Sequence, residues 1–241
     1  MRILITNDDG VHAEGLPHLI RWCREHLGEV TVVVPKVEQS GKSHGIELHK
    51  PFAVEEVELA PGIRVWTVDS TPADCVRFAR IGLGEEYDLC ISGINRGLNI
   101  GTDMVYSGTV GAALEASALG LKAVALSTCP EYYDRAHLHL ERVFNFVFGH
   151  KLLDVCDVYN INIPANPDRL RVTRQGGPYY GDDYKNVGGN LYQACGKVVY
   201  VDDGDPTLDT NTALGGHISV CPLTLIKTHL AAFEALKEVT E

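Results

Sequence analysis

The chain has no apolar run near the roughly 18 residues that a bilayer crossing requires. Its opening, Met1-Arg2-Ile3-Leu4-Ile5-Thr6-Asn7-Asp8-Asp9, interrupts any signal-peptide core with two acids. The expectation is a cytoplasmic protein that does not bind membranes. Positive charge is also scarce: 32 acidic against 21 basic residues leave a formal net charge of −11. That balance does not attract nucleic-acid backbones, so no DNA or RNA polymer is expected as a partner. A small phosphorylated substrate remains compatible if a metal ion supplies local positive charge. No C-x-x-C pair occurs among the seven cysteines (23, 75, 90, 129, 156, 195 and 221), which excludes a zinc ribbon or a thioredoxin motif. Several lie in apolar runs, as Cys90 does in Asp88-Leu89-Cys90-Ile91, and are expected to be small buried hydrophobes in a reducing compartment.

Common catalytic signatures are missing too. Gly41-Lys42-Ser43 mimics the end of a Walker A loop, but position 36 is Lys where glycine is required. Gly82-Leu83-Gly84 is followed by Tyr87, not by the third glycine of a dinucleotide fingerprint. There is no G-x-S-x-G elbow and no HExxH. Asp202, Asp203, Asp205 and Asp209 lack EF-hand spacing and its closing Glu, and read as a solvated acidic loop.

What is present is a strand–helix alternation. Ile3-Leu4-Ile5, Val30 to Val34, Val65 to Val68, Leu89-Cys90-Ile91, Val124-Ala125-Leu126 and Val158 to Ile163 read as strands. Most are continuously apolar, as parallel strands covered on both faces are. Amphipathic stretches near 15–26, 72–83, 108–119 and 135–149 lie between them. The fold class is α/β: a Rossmann-like, doubly wound, mostly parallel sheet, carrying C-terminal β-hairpin arms and a terminal helix. With 241 residues, 45% of them hydrophobic, the chain can bury one large core. The expected organisation is a catalytic core over 1–164, with a hairpin insertion near 44–60 built from His44 to Pro51 and Ala53 to Leu59. Segment 165–241 then supplies the arms and helix. Residues 165–221 are rich in Gly, Asp, Tyr and Asn, with short β-like runs at 170–173, 197–202 and 217–220. They cannot build their own core and are expected to pack on something else, such as another subunit.

In open α/β sheets ligands bind at the carboxyl ends of the strands. The first strand ends in Asn7-Asp8-Asp9-Gly10. Two adjacent carboxylates repel, and a cation removes that repulsion. A second loop, Ser92-Gly93-Ile94-Asn95-Arg96-Gly97-Leu98-Asn99-Ile100-Gly101, follows a later strand, and Asn95 can offer an amide oxygen to a hard cation. With Asp8, Asp9 and a hydroxyl such as Ser40 this makes an all-oxygen set suited to Mg²⁺ or Mn²⁺, one ion per subunit. Solvated turns would explain the same residues singly. Tyr106-Ser107-Gly108-Thr109-Val110 opens a helix, with free N–H groups and two hydroxyls at its positive end, so Ser107, Gly108 and Thr109 are candidate phosphate-binding residues. Simple N-capping is the competing reading.

In order along the chain these segments resemble the SurE (survival protein E) family of metal-dependent 5′/3′-nucleotidases. The resemblance is carried by Arg2 to Val11, Ser40-Gly41, Thr71-Pro72-Ala73-Asp74-Cys75-Val76, Ser92 to Gly97, Tyr106 to Val110, Asn160-Ile161-Asn162-Ile163-Pro164 and Gly216 to Leu223. It implies a metal held by Asp8, Asp9, Ser40 and Asn95, with Asp8, Asp9 and Asn95 as the catalytic set. It also implies phosphate contacts near Ser107-Gly108-Thr109, and homodimers or homotetramers that exchange C-terminal elements. The implied reaction is hydrolysis of nucleoside 5′- or 3′-monophosphates, with short polyphosphate as a further substrate. Three positions depart from the family pattern: Ser70 where Gly is usual, Glu47 where Thr is common, and Cys221 where Thr is usual. Two other readings stay open on the residues alone. A nucleotide-binding stress regulator would lack turnover, and a nicotinamide-dependent oxidoreductase would bind NAD(P)H.

Overall fold

A computed structural model describes residues 1–239. The last two residues of the expected 165–241 segment lie outside it. The elements are β1 (Arg2–Thr6), α1 (Gly15–His26), β2 (Glu29–Pro35), β3 (Val54–Ala60), β4 (Ile63–Val68), α2 (Pro72–Arg77), β5 (Leu89–Arg96), α3 (Gly108–Ala118), β6 (Lys122–Thr128), α4 (Leu140–Gly149), α5 (Leu152–Val155) and β7 (Val158–Ile163). They continue with β8 (Leu170–Val172), β9 (Tyr180–Gly181), β10 (Tyr184–Gly188), β11 (Leu191–Ala194), β12 (Lys197–Val198), α6 (Asp209–Leu214), β13 (Ile218–Leu223) and α7 (Leu230–Leu236).

Nine strands form one sheet in the order β3-β4-β2-β1-β5-β6-β7-β13-β8. The run from β4 to β7 is parallel; β3 and β13 enter antiparallel at its two sides. The continuous apolar runs are explained by cover on both faces. Ile3, Ile5, Val34 and Ile91 pack with Leu16, Leu19 and Ile20 of α1 and Leu140, Val143 and Phe144 of α4. Leu4, Val33, Cys90 and Ala125 face Cys75 and Val76 of α2 and Val110, Ala113 and Ala116 of α3. The cysteines are free, and five of the seven are buried. Burial pushes the Cys23 and Cys90 thiols up to about 12, so they behave as the expected inert hydrophobes.

Two expectations need revision. The hairpin near 44–60 has Val54–Ala60 as one strand, but its partner is β4, and 44–53 contains no strand. A turn through Gly62 at φ +74° joins two strands that both belong to the main sheet. The C-terminal segment is also more integrated than its composition suggests: β8 and β13 complete the sheet, and Asp209 to Ala213 of α6 are buried. Only β9 to β12 form the small separate ladders of an arm. The helical pattern read from Leu223 begins only at Leu230, since β13 runs to Leu223.

Asp209 ties this segment to the core. It is fully buried, and its carboxylate accepts N–H bonds from Gly101 (3.0 Å), Gly176 (2.8 Å) and Thr210 (2.7 Å). Burial outweighs these bonds and raises its pKa. It is not part of a solvated acidic loop, although Asp203 and Asp205 beside it do cap local turns. Removing the carboxylate strands three N–H donors, two of them buried. Asp209→Ala should therefore lose about 2–3 kcal/mol in urea unfolding, with faster tryptic cleavage at Lys185 and Lys197 as the arm root loosens. Unchanged unfolding and cleavage would contradict this assignment.

Candidate active site

The parallel strands present their carboxyl ends along one rim of the sheet, where the loops after β1, β2 and β5 meet. After β1 the chain must turn at once. Asn7 fixes the turn through reciprocal bonds with Gly10, Nδ2 to the carbonyl at 2.9 Å and Oδ1 from the N–H at 3.1 Å. Gly10 has φ +86°, and a Cβ there would stand 3.1 Å from the Val37 carbonyl carbon, so only glycine suits the position.

Asp8 is 3% exposed. Its carbonyl accepts the Gln39 N–H at 2.7 Å, which draws the loop after β2 over it. Its carboxylate accepts a hydrogen bond from the Thr109 hydroxyl. Gly108 makes this approach possible, because a Cβ there would meet Asp8 Cβ at 3.0 Å. Asp8 thus sits at the positive end of α3. Burial raises its pKa nonetheless, with the Thr109 bond acting against it and Glu38 adding to it. Asp9 Oδ2 accepts the Arg96 N–H at 3.0 Å. Burial, then repulsion from Asp8, pushes Asp9 up to about 6.

Asp9, Ser40 and Glu38 line one pocket of about 330 Å³ with His12, Arg96 and Tyr133. Ser40 is exposed and donates to Glu38 Oε1 at 2.7 Å, leaving its lone pairs free to ligate. Asn95 directly precedes the residue that binds Asp9, after an irregularity in the β5–β6 ladder between Ser92 and Asn95 that re-aims the strand end. Its Nδ2 donates to the Gly97 carbonyl at 2.7 Å, so the amide oxygen is the atom left over for a cation. Among the described residues no three His, Cys, Asp or Glu side chains converge as a metal centre. A cation here would need the amide and hydroxyl oxygens as well, and such a set fits a hard ion.

Capping and ligation divide at the start of α3. Ser107 Oγ accepts the Val110 N–H at 3.1 Å and is the N-cap, as the competing reading had it. The Thr109 hydroxyl serves Asp8 instead of capping. The loop carrying Ser40 is braced from several sides. Ser43 donates its N–H to the Tyr106 carbonyl (2.9 Å) and its hydroxyl to that of Val105 (2.7 Å). His44 Nε2 meets Glu115 at 2.7 Å, and Arg77 holds the other Glu115 oxygen at 2.8 Å. The His44 hydrogen bond, with help from Arg77, holds the Glu115 carboxyl below its usual range. Buried Asp74 accepts from Ser70 Oγ (2.5 Å), Thr71 Oγ1 (3.0 Å) and Glu47 N (2.9 Å). The unusual Ser70 is thereby explained. Glu47 caps the N–H groups of His49 and Lys50 and builds the turn there. Cys221 is simply buried.

The residues missed in the sequence are Glu38, His12, Arg96 and Tyr133. Arg96 lies inside a motif segment and His12 directly follows one, but only the pocket shows that they share it with Asp9. Glu38 lies between strand end and Ser40 with no pattern to mark it.

Residues 3–182 match the family model described as survival protein SurE. The chain is 38% identical to the 5′-nucleotidase SurE of Thermosipho africanus and 36% identical to that of Desulforudis audaxviator. Each alignment covers 99% of this chain and 97% of the relative. The fold superposes on the crystal structure of the SurE protein from Aquifex aeolicus with a TM-score of 0.80 at 28% identity, over 98% of both chains.

The raised pKa of Asp9 has a signed consequence for the metal-free protein. Its folded-state value, about 6, exceeds the unfolded 3.8, so the folded state binds the extra proton between these values. Stability from this group is therefore present at low pH and falls as pH rises from 3.8 through 6. Asp9→Asn removes that fall. Without metal, the variant should exceed the wild type by about 1–2 kcal/mol at pH 7, and the gap should close towards pH 4. A variant less stable at pH 7 would contradict the repulsion.

Proposed function

This chain belongs to the SurE family, and on that premise we propose that it is a metal-dependent nucleotidase whose reaction centre is the Asp8–Asp9 rim. The observation that carries the reading is the pair of adjacent carboxylates held at one strand end, both with raised pKa values. A cation beside such a pair removes the repulsion and favours the charged form of both carboxylates. The ligands in this reading are Asp8, Asp9, Ser40 and Asn95, and their all-oxygen character favours Mg²⁺ or Mn²⁺. When bound, the cation supplies Lewis-acid polarisation of the phosphoryl group and neutralises the two carboxylates.

The protein's own groups do the rest. Asp8 is a ligand held in one orientation by the Thr109 hydroxyl, so Thr109 acts through it. Arg96 offers the one Arg or Lys side chain among the residues lining the pocket and can pair with phosphoryl oxygens. The first N–H groups of α3, at Gly108 and its neighbours, face the same anionic chemistry. With Asp8 and Asp9 both engaged as ligands, a water is the nucleophile. His12 lies where it can exchange a proton with the reacting groups. The substrate is a nucleoside monophosphate, and the product is nucleoside plus phosphate.

The arm and α7 bear a second reading, of assembly. Tyr184, Leu191 and Tyr192 on the β10–β11 hairpin are about two-thirds exposed, and α7 exposes Leu230, Phe233 and Leu236 with no buried residue. Apolar faces of this extent suit a second copy of the chain. A homodimer or homotetramer built through them is part of the proposal.

Phosphate release from nucleoside monophosphates should stop with chelator and return with Mn²⁺ or Mg²⁺; undiminished turnover after exhaustive metal removal would sink the reading. Thr109→Val should lower kcat/KM about ten- to a hundredfold, the scale of a charge-assisted hydrogen bond. Because the hydroxyl serves a ligand, weaker metal binding should accompany that loss. Wild-type kinetics with only a shifted Tm would reduce Thr109 to a packing residue. In sedimentation the chain should run as a dimer or larger, and a stable, active monomer would refute the assembly.

A further inference from the structure

One helix bears on two of the loops that build the proposed centre. Gly108 opens α3 against Asp8, where a Cβ would meet the Asp8 Cβ at 3.0 Å. Gly111 lies one turn on, and a Cβ there would stand 2.4 Å from the Ser43 carbonyl oxygen and 2.9 Å from the His44 Cα. Glu115 follows at the next turn. One of its oxygens meets His44 Nε2 at 2.7 Å, and Arg77 of α2 holds the other at 2.8 Å. Positions 108, 111 and 115 have the i, i+3, i+7 spacing of a single helix face. A helix interior disfavours glycine relative to alanine. Gly111 stands where any side chain would collide with backbone of the facing loop.

The segment that this face holds carries Ser40. The Gln39 N–H donates to the Asp8 carbonyl at 2.7 Å, and the Lys42 N–H closes a turn back on the Gln39 carbonyl at 3.3 Å. Ser43 follows at φ +55°, a conformation uncommon for any residue with a side chain. It is kept there by its N–H on the Tyr106 carbonyl (2.9 Å) and its hydroxyl on that of Val105 (2.7 Å). Ser40 is therefore strung between two fixed points, Asp8 before it and the contact of Ser43 and His44 with α3 after it. The Thr109 hydroxyl ties the same helix to the Asp8 carboxylate. Ser40 cannot shift against the carboxylate pair unless α3 moves or one of these contacts breaks.

We propose that Gly111 and Glu115 are positioning residues of the reaction centre. Through Ser43 and His44 they set the distance from Ser40 to the Asp8–Asp9 pair, and so favour an ion of the size of Mg²⁺ over Ca²⁺. The proposal rests on the metal-site reading given above. Mg²⁺ demands a near-ideal octahedron at about 2.0–2.1 Å, whereas Ca²⁺ accepts oxygens at about 2.3–2.6 Å in irregular arrangements. A Cβ on residue 111 would drive the Ser43 carbonyl from 2.4 Å out beyond 3.0 Å. That displacement exceeds the roughly 0.5 Å within which a working constellation must be held. Neither residue touches the reacting atoms; both act through the loop.

The test is cation binding to the full-length chain. Electron paramagnetic resonance gives the affinity for Mn²⁺, and displacement by Mg²⁺ and by Ca²⁺ gives theirs. Gly111→Ala should weaken Mg²⁺ at least tenfold and Ca²⁺ no more than threefold, with the helix retained because alanine is the better helix former. His44→Ala leaves the packing of α3 alone and should show the same selective loss; it decides the matter by itself if Gly111→Ala does not fold. His44→Gln, whose amide can still donate to Glu115, should recover most of the Mg²⁺ affinity. A merely structural role would lower Tm and leave the ratio of the two affinities unmoved. Unchanged Mg²⁺ affinity, or equal loss of both ions, in the folded variants overturns the positioning role even if nucleotides are hydrolysed. The selective loss in a chain that releases no phosphate from nucleoside monophosphates overturns the nucleotidase reading and leaves the positioning role standing.

Discussion

Two like charges held side by side at the end of β1 are the constraint on which the rest depends. Asp8 and Asp9 are consecutive, so their separation is set by the backbone, and burial denies them the water that would screen their repulsion. The protein spends several interactions to keep them there. Asn7 and Gly10 lock the turn, the start of α3 supplies the Thr109 hydroxyl, and the Arg96 N–H reaches in from β5. The last two favour the charged form, yet burial, with repulsion from Asp8 at Asp9, still leaves both carboxyls with raised pKa values. In the proposed function, a divalent cation would fill the remaining deficit of positive charge.

A site of this kind works only if the neighbouring loops are stiff. The segment after β2 has no secondary structure between 36 and 53, so side chains fix it. Glu115 gathers His44 and Arg77, and Asp74 gathers Ser70, Thr71 and the Glu47 N–H. Buried, fully paired carboxylates of this sort add little net stability but allow one loop arrangement in preference to others. The same logic holds further along the rim, where Asn160 and Asn162 of β7 clamp Asn99 and Asp209 clamps Gly101. The ordered polar residues of the sequence motifs are therefore mostly braces. Few of them face the pocket.

This division explains what could be read in advance. The parallel core was legible because strands buried on both faces, such as Leu89-Cys90-Ile91, must be continuously apolar. The place of Asp8 and Asp9 at a strand end was legible because the apolar run Ile3-Leu4-Ile5 stops just before them. Thr109 was placed at an anion site, and an anion is there, but it is the carboxylate of Asp8; sequence spacing cannot show a contact between residues 101 positions apart. Glu38 was missed because one acid in a polar loop has no pattern. The pairing of β3 with β4 was missed because 44–51 has an alternation that loop anchors can also produce. The segment after 165 was read as arms from its polarity, whereas β8, α6 and β13 reach the core through residues such as Asp209 and Ser219 whose burial no hydropathy pattern reports.

The central claim is that a scaffold-enforced carboxylate pair creates the demand for a cation. It is tested most directly by titrating Mn²⁺ into the metal-free chain at pH 7 and counting bound ions by electron paramagnetic resonance. The account predicts one ion per subunit, lost in Asp8→Asn and in Asp9→Asn while both variants stay folded. Stoichiometric Mn²⁺ binding that persists in both variants would place the cation elsewhere and contradict the account.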